Sequence, residues 1–117
     1  MRNFNLSFTR PEIKINGIRY PVLRSDAAIL QDLLDIDAVF AGRDMTDPET
    51  VLEKNKALCS YIDKLLGAGS AEKILASIDG MEGYDLGLTG VGMIVTQISA
   101  LAQQAYSEAI RVKYEDD

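Results

Sequence analysis

The chain contains no histidine. That absence removes the commonest general base, the usual catalytic triad and the most frequent transition-metal ligand together. A lone cysteine, Cys59, excludes an internal disulfide. It falls among Leu58, Tyr61 and Ile62 at helical spacing, which reads as a packed thiol and not as a nucleophile. Basic residues are outnumbered, 12 Lys and Arg against 18 Asp and Glu, for a formal charge of -6 and a pI near 4.6. No stretch gathers the Lys and Arg stripe that phosphate neutralisation needs, so nucleic acid and anionic membrane surfaces are excluded as partners. No run approaches the roughly 18 apolar residues of a membrane span, and Met1-Arg2-Asn3-Phe4 lacks the apolar core of a signal peptide. The location expected from these features is the cytoplasm.

What is present fits one ordinary domain. The 117 residues are 47% hydrophobic and 26% charged, enough for a single core and too few for two. A domain of this size buries about two-thirds of its unfolded surface, so a surplus apolar face on a long helix calls for a partner or a second copy. The expected division is a strand region over 3–23, a helical region over 25–114 and a solvated acidic tail over 115–117.

Phe4, Leu6 and Phe8 alternate with polar residues up to Pro11, the pattern of a short edge strand. Ile13 and Ile15 alternate next, Asn16-Gly17 follows, and Ile18, Tyr20 and Val22 alternate after it. This is the signature of a hairpin closed by a two-residue type I′ turn. The turn sets Ile15 opposite Ile18 and Ile13 opposite Tyr20, which gathers the large apolar residues on one face. A two-stranded hairpin is marginal alone, so it is expected to pack on the helices, with the Phe4–Phe8 segment available as a third strand.

Ser25 is a good N-cap for a helix carrying Ile29, Leu30, Leu33, Leu34 and Phe40 and ending near Gly42. Asp47 caps a second helix with Pro48 at its first position and Glu49 beside it, and Val51, Leu58, Ile62, Leu65 and Leu66 carry that helix to Gly67. Ser70 opens a short helix through Ile74, Leu75 and Ile78, broken at Gly80. Glycine then recurs at Gly83, Gly87, Gly90 and Gly92, read as a hinge-like loop. The last helix is expected from Leu88 or Val91 as far as Tyr114, with Val91, Ile94, Val95, Ile98, Leu101, Ala102, Ala105, Ala109 and Val112 on one stripe. The fold class is therefore α+β, mostly α: an N-terminal β-hairpin, with two or three short strands, on a bundle of about four helices.

The carboxylates Asp32, Asp35 and Asp37 point to different sides of a helix and read as a charged outer face, not a metal or acid–base pair. Gly87, Gly90 and Gly92 lack the lysine of a GxxxxGK[ST] loop and the spacing of GxGxxG. No catalytic, cofactor-binding or metal-binding residue is assigned, and no small-molecule substrate. The tyrosines divide. Tyr20 and Tyr61 read as core, whereas Tyr84 in the glycine loop and Tyr106 and Tyr114 beside the last stripe are candidate partner anchors. The candidate protein-binding set is Tyr84, Val91, Ile94, Ile98, Leu101, Tyr106 and Tyr114, and an apolar groove between the last helix and the second helix is expected to take an amphipathic client segment.

The hairpin Ile15-Asn16-Gly17-Ile18-Arg19-Tyr20-Pro21, the helix ending Ile62-Asp63-Lys64-Leu65-Leu66-Gly67 and the short helix opened by Ala71-Glu72-Lys73-Ile74 follow in an order that resembles the small tail assembly chaperones of long-tailed phages and prophages. The resemblance spans about residues 11–112. It implies a non-enzymatic protein that binds a long helical tape-measure protein during tail assembly, keeps it soluble, and self-associates into rings or spirals. It also implies that a longer frameshifted form exists for many members. The family supplies no set of functional side chains to carry over. The alternatives are a structural tail or head–tail joining protein of a prophage and a bacterial adaptor or regulatory subunit.

Overall fold

The computed structural model describes residues 1–116. Eight elements follow in order: strands β1 (Arg2–Phe8), β2 (Glu12–Ile15) and β3 (Ile18–Pro21), helices α1 (Asp26–Phe40), α2 (Pro48–Leu66), α3 (Ser70–Ala76) and α4 (Leu88–Ser107), and strand β4 (Ile110–Asp116). The fold is mixed α+β, as the sequence patterns require.

The β2–β3 hairpin has the register that its turn dictates, with Ile15 opposite Ile18 and Ile13 opposite Tyr20. Both turn residues take positive φ, 49° at Asn16 and 81° at Gly17, which is the type I′ geometry matching the right-handed strand twist. Ile13, Tyr20 and Val22 are buried in the same core as Ile29 of α1, Leu58, Tyr61, Ile62, Leu65 and Leu66 of α2, Ile74 of α3, and Val91, Val95, Ile98 and Ala102 of α4. The helix starts obey local chemistry. Ser25 Oγ accepts from the Ala28 amide at 3.1 Å, and Asp47 Oδ1 accepts from the Glu49 amide at 3.3 Å. Helix α3 opens at Ser70 as expected and ends at Ala76, short of Ile78. Its N-cap is Gly69, Ser70 is buried as the first helical residue, and the cap is supplied across space by Asp63 Oδ1, which accepts from the Ala71 amide at 2.8 Å.

Two further expectations are corrected. The last helix stops at Ser107 instead of reaching Tyr114, and 110–116 is a strand. Ile110, Val112 and Tyr114 have period two as well as helical spacing to earlier residues, and β1 offers this segment a full set of strand partners. In addition, β1 does not join the hairpin. It pairs antiparallel with β4 over its whole length, from Arg2 opposite Asp116 to Phe8 opposite Ile110. Glu115 and Asp116 of the expected tail thus belong to β4, and Asp117 lies outside the described residues. In α1, Ile29 and Phe40 are buried while Leu30 and Leu34 are exposed, so the inward stripe is narrower than the apolar pattern suggested.

The β1–β4 ribbon projects from the body. All of its residues are exposed, and the molecule measures 65 × 34 × 19 Å with a radius of gyration of 17.8 Å. A compact domain of the same length would have about 13 Å.

Candidate protein-binding surfaces

The facing sides of α2 and α4 are filled by Leu58, Tyr61, Ile62 and Leu65 against Val91, Val95, Ile98 and Ala102, all buried. A hydroxyl pair bridges them, Tyr61 to Ser99 at 2.7 Å. The groove expected along this joint is therefore closed. The open apolar groove lies on the other flank of α4.

That groove has a volume of about 620 Å³. One wall is α4, with Met93, Ile94, Gln97, Ile98 and Leu101; the other is Lys14, Ile15 and Asn16 of the hairpin with Ile74 and Ile78; Leu86 lies at one end. Lys14 is its only charged lining residue, so the groove is nearly neutral within an acidic protein. Helical geometry explains the α4 wall. Met93, Gln97 and Leu101 recur every fourth residue beside the buried stripe, giving a second row about 12 Å long. Met93 is 67% and Leu101 46% exposed.

The opposite wall is held by the turn. Asn16 Nδ2 donates to the Ser77 carbonyl at 3.0 Å and contacts Ser77 Oγ at 3.3 Å. Ser77 is the C-cap residue of α3, so the same asparagine that adopts positive φ also satisfies a helix-terminal carbonyl. The end near Leu86 depends on a missing side chain. A Cβ at Gly90 would come within 2.6 Å of Leu86 Cδ2, so glycine lets Leu86 fold onto the first turn of α4. This glycine acts by close packing and not as a hinge.

The seven candidate residues are separated by the structure. Ile94, Ile98 and Leu101 meet in the groove, Ile98 at 4% exposure and Ile94 half-buried. Val91 is a core residue at 2% exposure. Tyr84, 76% exposed, lines a smaller hollow of about 340 Å³ with Asn55, Cys59 and Met81. Tyr106 is half-buried and packs edge-on against Phe8 at the foot of the ribbon, with ring centroids 6.5 Å apart. Tyr114 stands on β4 beside Phe4, 6.1 Å away. Met93, Ile15, Ile78 and Leu86 are not among the candidate binding residues that the sequence gives, because their meeting in one groove depends on how three separate elements pack. Met93 had a weak signal in its four-residue spacing to Leu101.

A second apolar surface lies on the ribbon. The three rungs Phe4–Tyr114, Leu6–Val112 and Phe8–Ile110 share one face, with the Arg2–Asp116 ion pair beyond them at the free end, and Asn3, Asn5, Ser7, Arg111, Lys113 and Glu115 occupy the other.

Asp32 accepts from Arg24 through both oxygens at 3.0 Å and from Lys64 at 3.3 Å. Burial alone would raise the pKa of this carboxyl, but the hydrogen bonds and charges of Arg24 and Lys64 outweigh burial and hold it below the usual value. The Cys59 thiol is pushed up by burial and further by the charge of Asp63, the opposite of an activated nucleophile. No described helix is long and apolar enough to cross a membrane. No family model, curated protein or solved structure matches the chain.

Proposed function

We propose that this chain is a non-enzymatic assembly chaperone that binds an amphipathic helix of a client protein in the groove between α4, α3 and the hairpin. The observation that carries the reading is the groove itself: a nearly uncharged apolar trough of about 620 Å³, with Met93 and Leu101 exposed on its rim. Its α4 wall, about 12 Å long, matches some two turns of a client helix, enough for anchors at i, i+3 or i+4 and i+7. The few polar groups on its walls suit a helix face better than a small polar ligand. The acidic exterior supports the same reading, since a net charge of -6 keeps a complex carrying apolar cargo apart from its neighbours.

The resemblance to small tail assembly chaperones supplies the specific form: a protein of a long-tailed phage or prophage, acting in the bacterial host cytoplasm, whose client is the helical tape-measure protein. The test is co-expression of the chain with helical tape-measure segments, followed by light scattering on the eluted complex. The chain is expected to hold such a segment in solution, and Met93→Lys with Leu101→Lys is expected to weaken binding at least tenfold while the circular dichroism spectrum stays unchanged. Equal binding by the double variant would remove the groove from the mechanism.

A further inference from the structure

We infer that the β1–β4 ribbon is a dimerisation arm whose apolar face stacks on the same face of a second copy, antiparallel, about a two-fold axis through the Leu6–Val112 rung. This surface is separate from the groove, and the inference stands whether or not the groove binds a client.

The first observation is the state of the face. Phe4, Leu6, Phe8, Ile110, Val112 and Tyr114 are between 49% and 65% exposed, and they form an unbroken row of three rungs, bounded at the free end by the charged Arg2–Asp116 rung on the same face. A two-stranded ribbon is marginal in water without cover; the ladder of this one extends at its foot to the Thr9 amide and the Ala109 carbonyl at 2.8 Å, where Phe8 packs against Tyr106 of the body. Contiguous apolar patches of this size mark interaction sites.

The second observation is area. Six such side chains expose on the order of 700 Å², close to the roughly 800 Å² per partner of a stable interface. One ribbon on another thus supplies about the surface a dimer needs, in the stacked-sheet arrangement that apolar strand faces form elsewhere.

The third is self-complementarity. The rungs run aromatic pair, aliphatic pair, mixed pair, with the smallest side chains in the middle. Reversal about the central rung sets Leu6 on Leu6 and Val112 on Val112, and sets the Phe4–Tyr114 rung over Phe8–Ile110. An isologous contact needs this kind of match.

Charge selects the antiparallel arrangement over the parallel one. The strands carry Arg2, Arg111 and Lys113 against Glu115 and Asp116, a slight positive excess, so the acidic excess resides in the body. Antiparallel stacking holds the two acidic bodies at opposite ends of the joint, whereas parallel stacking sets them side by side.

The experiment is light scattering of the full chain across a concentration series, with Val112→Lys and Met93→Lys as variants. The wild type and Met93→Lys are expected to run at dimer mass, and Val112→Lys at half that mass. A wild type that stays monomeric throughout, or a Val112→Lys chain that keeps the dimer mass, overturns the inference. Cysteine cross-linking guards against a variant that merely disorders the ribbon. In a Cys59→Ala background, a short bis-maleimide is expected to join Leu6→Cys chains into dimers and to leave Ser7→Cys, on the polar face, as monomers. Equal cross-linking of the two also overturns it.

Discussion

The hydroxyl of Tyr61 on α2 donates to Ser99 Oγ on α4 at 2.7 Å, at the centre of the helical core. The direction follows from the neighbouring bond: Ser99 donates its own proton to the Val95 carbonyl at 2.6 Å, leaving its oxygen as the acceptor. Both residues are buried. Ser99→Ala strands the phenol without an acceptor and is expected to cost about 2 kcal/mol, because an unmatched buried donor carries its full desolvation penalty. Tyr61→Phe leaves Ser99 bonded to Val95 and is expected to cost about 1 kcal/mol. Denaturant unfolding of the two variants checks the order, and the reverse order would contradict the donor assignment.

Asp32 joins the segment before α1 to the end of α2 through Arg24 and Lys64. Its folded pKa lies below the ordinary 3.8, so the unfolded state binds the proton more readily. The ion pairs therefore contribute stability above that ordinary value, and the contribution is lost as pH falls through the lower folded value. Asp32→Asn is expected to destabilise by about 1 kcal/mol at neutral pH. Its difference from the wild type should shrink once the pH drops below 3.8. Thermal melts at neutral and strongly acidic pH measure this directly, and a constant difference would refute it.

Asp63 has two roles that substitution can separate. It caps α3 through the Ala71 amide, and its charge helps raise the Cys59 thiol after burial has done so. Asp63→Ala is expected to lose about 1 kcal/mol with the cap. Asp63→Asn keeps an acceptor oxygen, so it should retain most of that stability while letting Cys59 react faster with a thiol reagent at mildly alkaline pH. Reaction rates followed by absorbance decide the point, and an unchanged rate in Asp63→Asn would remove the electrostatic role.

Much of this architecture was legible in local chemistry. Asn16-Gly17 between alternating apolar runs determined a type I′ hairpin and its register, because few residues accept positive φ at both turn positions. Ser25 and Asp47 determined two helix starts, since their side chains meet amides that the helix leaves free. Tyr20 and Tyr61 were legible as core, and Ile94, Ile98 and Leu101 as one stripe of the last helix. Tertiary structure alone decided the rest. Ile110, Val112 and Tyr114 carry both a strand period and an extension of a helical stripe. Only the arrival of Phe4, Leu6 and Phe8 from the far end of the chain selects the strand, because a ladder needs a partner that no local window contains. The Asp63 cap on α3 and the Asn16 clamp on Ser77 are likewise contacts between elements. The groove's position follows from which flank of α4 the core leaves uncovered. The sequence by itself determined the elements and their polarity, and the three-dimensional pairing decided which apolar faces were closed and which were left exposed.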